Sequence, residues 1–177
     1  MISKLQNIYE LIQIKKKIIS GLSLWTAIIS LVLIKTFFLA REHAAVPRPF
    51  SWIDAPMFES FDIAVLMAAS IVIALILADA KAILYGYVVS ISLSCIIGVA
   101  YDSFYIWSMW GYLFETVPFG WEHACYWAVI NVLRAMFPFG IGVCLLGATI
   151  GGALSSHLSR KALEQRHNIR KEERQDA

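Results

Sequence analysis

Residues 61–101 read FDIAVLMAASIVIALILADAKAILYGYVVSISLSCIIGVAY, and the fold turns on how this stretch is divided. Two apolar runs, Phe61–Ala78 and Ala82–Tyr101, flank Asp79, Ala80 and Lys81. As helices rising ~1.5 Å per residue, each run comes to roughly the ~30 Å thickness of a bilayer's hydrocarbon core. Inside lipid, backbone polar groups have to be satisfied within the segment or in a closed barrel, so uninterrupted apolar runs of this length read as helices. A link this short folds the second run back as an antiparallel hairpin.

Working outward, Ile18–Ala40 is a third apolar run, entered through the basic triplet Lys15, Lys16 and Lys17. Before it, Leu5, Ile8, Tyr9 and Ile12 recur at helical spacing, which predicts an interfacial helix over Met1–Lys17. A cleaved signal peptide is the competing reading of this end, but the apolar run is longer than a signal core. Residues 41–60 contain Pro47, Pro49 and Pro56 and no periodic pattern, and read as a loop. Asp102–His123 reads as an aromatic-rich outer connection carrying Trp107, Trp110, Tyr112, Phe114 and Trp121, residues that favour the headgroup level.

Apolar character returns at Ala124 and continues to Leu154, about 46 Å as one straight helix. Pro138 lacks an amide hydrogen and clashes with the turn before it, so a kink or break is expected near Phe137. The expected spans are thus about 18–40, 61–78, 82–101 and 128–156. Whether 124–137 spans or lies at the interface stays open. The expected fold class is all-α: a polytopic bundle of four transmembrane helices forming one domain over 1–158, with a charged tail over 159–177.

Composition agrees, with 59% hydrophobic residues and a mean hydropathy of +0.66. The charges are arranged asymmetrically. Lys4, Lys15, Lys16, Lys17, Lys81, Arg160, Lys161, Arg166, Arg170, Lys171 and Arg174 fall on the side of the two chain ends, and only Arg41 and Arg48 on the other. By the positive-inside rule, the chain is a multi-pass protein of the cell membrane with both termini cytoplasmic. This placement of basic residues is not a nucleic-acid footprint. Cys95, Cys125 and Cys144 form no Cys-x-x-Cys pair, and no sequon, lipidation box or phosphate loop occurs.

Two rows of small residues stand out. Ala82, Gly86, Ser90, Ser94 and Gly98 recur every four residues, leading to Asp102. Gly140, Cys144, Ala148, Gly152 and Ser156 repeat the spacing, beside Gly147, Gly151 and Ser155. Lipid tails are as apolar as leucine, so helices in a bilayer associate by close backbone approach, which such rows allow. They are read as packing faces, between spans or toward a membrane-protein partner or second copy.

Lys35, Asp62, Asp102 and Arg134 lie at or within the outer ends of four different spans, with Asn131 just before Arg134. Charges in apolar segments are costly unless paired or turned to a cavity, so these five are the candidate intramembrane cluster, with Arg134 expected to pair with Asp102 or Asp62. His43, Asp54, Glu59, Glu115, Glu122 and His123 have ligand-type side chains at spacings that match no metal motif. No catalytic constellation, cofactor or metal is implied. A non-enzymatic subunit or assembly component is the favoured reading, a small-solute transporter using the outer charges the alternative.

Overall fold

The computed structural model describes residues 2–42, 58–110 and 120–175, with side-chain surroundings over 15–39, 58–108, 120–162 and 164–165. The described residues form helices: α1 (Ile2–Glu42), α2 (Ser60–Leu77), α3 (Ala80–Trp110), α4 (Trp121–Ala135) and α5 (Ile141–Gln175), with a π-helical turn over Met136–Gly140 between the last two. Four segments are long and apolar enough to cross a membrane: Lys15–Leu39, Ser60–Leu77, Ala80–Ser108 and Trp121–Ala162.

The helix expected near the N-terminus is present and runs unbroken into the first span, so α1 is one helix of 41 residues. The hairpin link is Ala78 and Asp79, a little earlier than the three residues read from the sequence. Ala78 closes α2 in the left-handed conformation at φ 57°. Asp79 opens α3, its Oδ2 accepting the Ala82 N–H at 3.0 Å. Asp102–Trp110, expected to belong to the outer connection, continues α3, and Trp121 already begins α4. Hydropathy underrates this segment because its aromatics carry polar edges, yet its backbone is helical.

The long fourth segment breaks where expected. Phe137 leaves the helical region (φ −105°, ψ 131°), as a residue ahead of proline is pushed to do. The break lets the chain change neighbours. α4 runs antiparallel to the end of α3, with Trp121 against Trp107 and Val132 beside Gly98. Beyond the break α5 turns onto α2. Gly147 meets Ser70 and Met67, and Gly151 meets Ile71 and Ala74, so the numbering rises together and the two helices are parallel.

α1 and α3 form a second parallel pair. Ser90 Oγ donates to the Leu22 carbonyl at 3.4 Å and Ser94 Oγ to the Thr26 carbonyl at 3.1 Å. In an α-helix the Thr26 hydroxyl would return to the Leu22 carbonyl and the Ser30 hydroxyl to the Thr26 carbonyl, as Thr36 does to Val32 and Ser70 to Leu66. The α3 serines occupy those two carbonyls, and the Thr26 and Ser30 hydroxyls are buried without a partner.

Both small-residue rows are therefore used inside the chain. Gly86, Ser90, Ser94, Gly98 and Asp102 are all buried, the row passing from α1 and the end of α2 at its start to α4 at its end. From the end of the π-helical turn into α5 the buried ridge is Gly140, Cys144, Gly147, Ala148, Gly151 and Ser155. The strict four-residue row leaves that face: Gly152 is half-buried against Ile83 of α3, and Ser156 is exposed. At 3.6 residues per turn, each step of four rotates ~40° past the contact line, which explains the departure.

Candidate functional site

Glu59 precedes α2 in an extended conformation and caps it reciprocally with Asp62: the Glu59 side chain accepts from the Asp62 backbone, and Asp62 Oδ2 accepts the Glu59 N–H at 3.2 Å. Two carboxylates at a helix N-terminus oppose the positive end of its dipole. Lys35, projecting from α1, docks onto this anionic start, with Nζ 2.8 Å from Asp62 Oδ1 and 3.1 Å from Glu59 Oε2. Its ammonium also lies 5.6 Å from the centre of the Phe61 ring. The Asp62 side chain is only 3% exposed and those of Lys35 and Glu59 are 39% and 60% exposed, so the clamp opens outward from a closed inner end.

Asp102 belongs to a second group. It is fully enclosed at the α3–α4 contact, where Asn131 Nδ2 donates to its Oδ2 at 2.9 Å. The neighbouring Ser103 hydroxyl is buried without a partner. Arg134, half-buried, follows Asn131 on α4 and lies just before the helix break. Leu33 and Phe37, on either side of Lys35 along α1, lie within 4 Å of a methyl built at Gly98, one turn before Asp102. The two carboxylate groups therefore sit within about one helical turn, ~5–6 Å, of one level.

A third polar group was not anticipated. Trp25, fully buried in the first span, donates from Nε1 to Ser70 Oγ at 3.1 Å, and the Ser70 hydroxyl in turn donates to the Leu66 carbonyl at 2.8 Å. The Trp25 ring lies 6.1 Å from that of Tyr87, whose hydroxyl donates to the Ile141 carbonyl at 3.0 Å. These contacts tie α1, α2, α3 and the start of α5 together near mid-bundle. A tryptophan alone inside an apolar span needs an acceptor for its N–H, and that was the available signal.

The geometry brings Lys35 to Asp62 and Asp102 to Asn131, and adds Glu59, which sequence reasoning had assigned to the loop set. The signal for Glu59 was its spacing to Asp62, three residues on, just before an apolar run. Among the described residues, no three His, Cys, Asp or Glu side chains come together as metal ligands. His43, Asp54 and Glu115 lie outside the described residues. Chemically, both groups fasten helices: the Lys35–Asp62 contact is an ion pair between α1 and α2, and the Asn131 amide donates to the Asp102 carboxylate between α4 and α3. In comparisons with known proteins, the chain matches no family model, no curated protein and no solved structure.

Proposed function

We propose that this chain is a multi-pass component of the cell membrane with both ends cytoplasmic, acting as a non-enzymatic subunit or assembly partner of another membrane protein. The observation that carries this reading is the uneven enclosure of the bundle. The apolar part of α1 is twice as enclosed as that of α3, whose outer flank shows Leu84, Val88, Leu93, Ile96 and Phe104. The small-residue faces are occupied within the chain, so the α3 flank is the surface offered to a partner. Lys35 with Asp62, Asn131 with Asp102 and Trp25 with Ser70 each fasten one helix to another, as suits a scaffold.

Photo-crosslinkers placed at Leu93 and Ile96 in native membranes test this, with Val72 on the exposed side of α2 as the comparison. The expected result is a discrete protein adduct from α3 and lipid adducts from Val72, with the same protein retained in mild detergent. Lipid adducts alone from all three positions would remove the reading.

Small-solute transport is the second reading, favoured by one arrangement: the break at Phe137–Pro138 follows Arg134 within one turn, with buried hydroxyls at Ser30 and Ser103 unpartnered. Broken helices in transporters supply such polar backbone beside a site. A small molecule retained on purification and lost in Asp102→Asn supports it.

A further inference from the structure

We infer that the end of the bundle where α1 enters the membrane is a composite site for anionic lipid headgroups, built from three helices that the chain order keeps far apart. Ile18 of α1 and Ala82 of α3 both pack against the core, and each is immediately preceded by an exposed lysine, Lys17 and Lys81. Lys15 and Lys16 lie in the turn outside Lys17 and are also exposed. On α5, Ser155 is the last buried position, and the exposed Arg160 and Lys161 follow it within about two turns, ~9 Å. Contacts of Gly21 with Leu77 and of Gly152 with Ile83 bring the three helix ends to one end of the bundle.

Among the residues whose side chains are described, the same rim holds two carboxylates, Asp79 and Glu164, against six cations. Asp79 is directed back into its own helix, where it accepts the Ala82 N–H. Among the described residues, none of the six cations is in an ion pair. Cations just beyond the apolar part of a helix meet the headgroup layer, and clusters of four to eight attract anionic lipid. The rim meets a headgroup layer in either orientation of the bundle, and this conclusion stands or falls separately from the proposed subunit role. Lipid headgroups, in preference to a soluble polyanion, are the occupant because Lys17 and Lys81 adjoin core-packed residues, at the depth where headgroup phosphates lie.

The test uses the purified full-length chain in neutral detergent, titrated with phosphatidylglycerol or phosphatidylcholine, with bound lipid counted by native mass spectrometry. The expected result is at least tenfold tighter retention of phosphatidylglycerol, weakened by salt. Three group variants divide the rim: Lys15→Gln with Lys16→Gln and Lys17→Gln; Lys81→Gln; and Arg160→Gln with Lys161→Gln. Each should lose part of the preference, and the combined variant all of it. Because all six side chains are exposed, circular dichroism should be unchanged, and the separate group variants carry the test if the combined one expresses poorly. Inorganic pyrophosphate at matched charge should not displace the lipid. Unchanged preference in every group variant, loss confined to one group, or displacement by pyrophosphate overturns the inference.

Discussion

Replacing Gly151 with alanine tests the α2–α5 interface most directly. The new methyl carbon would lie 2.5 Å from the Ile71 carbonyl oxygen, 2.7 Å from Ala74 Cβ and 3.1 Å from Ile71 Cα. Two of these atoms are backbone and the third is fixed to it, so no rotamer change relieves the contact. A carbon next to a carbonyl oxygen rests at ~3.3 Å or more, so the two helices have to part by close to ~1 Å. A gap of 0.5–1 Å already loses about a quarter to a half of a dispersion contact, and the loss repeats along the whole ridge. Overpacking of this kind costs ~1–3 kcal/mol, partly offset by the ~1 kcal/mol by which alanine outranks glycine in a helix.

Gly142 supplies the control, because a methyl built there meets nothing within 4 Å. Gly142→Ala takes the propensity gain without the clash, so the two variants should differ by roughly 2 kcal/mol. Gly147→Ala, whose methyl would lie 2.7 Å from Ser70 Cβ and 2.8 Å from the Met67 carbonyl oxygen, should resemble Gly151→Ala. The assay is reversible unfolding of the full chain in mixed micelles as denaturing detergent is raised. Equal stability of the Gly142 and Gly151 variants would refute a backbone-close parallel pair.

At the Lys35 clamp, Lys35→Met leaves the nearly buried Asp62 with only its capping bond and should lower the unfolding midpoint more than removal of a solvated surface lysine such as Lys81 does. In a double-mutant cycle with Asp62→Asn, part of that loss should return; additive losses would count against the pair. On the α1–α3 seam, Ser94→Ala frees the Thr26 carbonyl for the idle Ser30 hydroxyl and should cost little, while Ser94→Ala with Ser30→Ala should cost ~0.6 kcal/mol beyond the sum of the singles. Simple additivity there would mean that the hydroxyls do not compete. Ala78→Gly removes a left-handed alanine and should raise stability by about 1 kcal/mol, unless the turn rearranges, which thermal unfolding would reveal as no gain. Cysteines at Ser51 and Glu115, in a background without the native three, should react with an impermeant thiol reagent from outside the cell; labelling only from the cytoplasmic side would reverse the orientation.

For Lys35, Asp62 and Asp102, depth was legible in the sequence, and the match of Lys35 to Asp62 was not. Lys35, Asp62 and Asp102 fall near one level because each lies close to an end of an apolar run, and run ends are visible in hydropathy. Which carboxylate meets which partner depends on how the helices are rotated and arranged around one another. Asp62 is taken by Lys35 and the Glu59 amide, and Asp102 receives Asn131. Trp25 was passed over for a similar reason: within an apolar run it looks like another bulky core residue, and only the arrival of Ser70 from α2 makes its N–H informative.

The sequence alone determined the four apolar segments, the break at Phe137–Pro138 and the residues able to let helices touch, because these depend on length, on a missing amide hydrogen and on side-chain size. The tertiary structure decided the rest. It turned Gly86 toward α2 and α1, Ser90 and Ser94 toward α1, Gly98 toward α4 and α1, and Gly147 and Gly151 toward α2, so the small faces close within the chain. It also dropped Ser156 from its row, since the ~40° drift of a four-residue step shows only against a fixed neighbour. Every apolar face of such a helix is equally content with lipid, so hydropathy does not rank possible neighbours. What ranks them is how closely two particular backbones approach, a property of pairs of helices that no single segment carries.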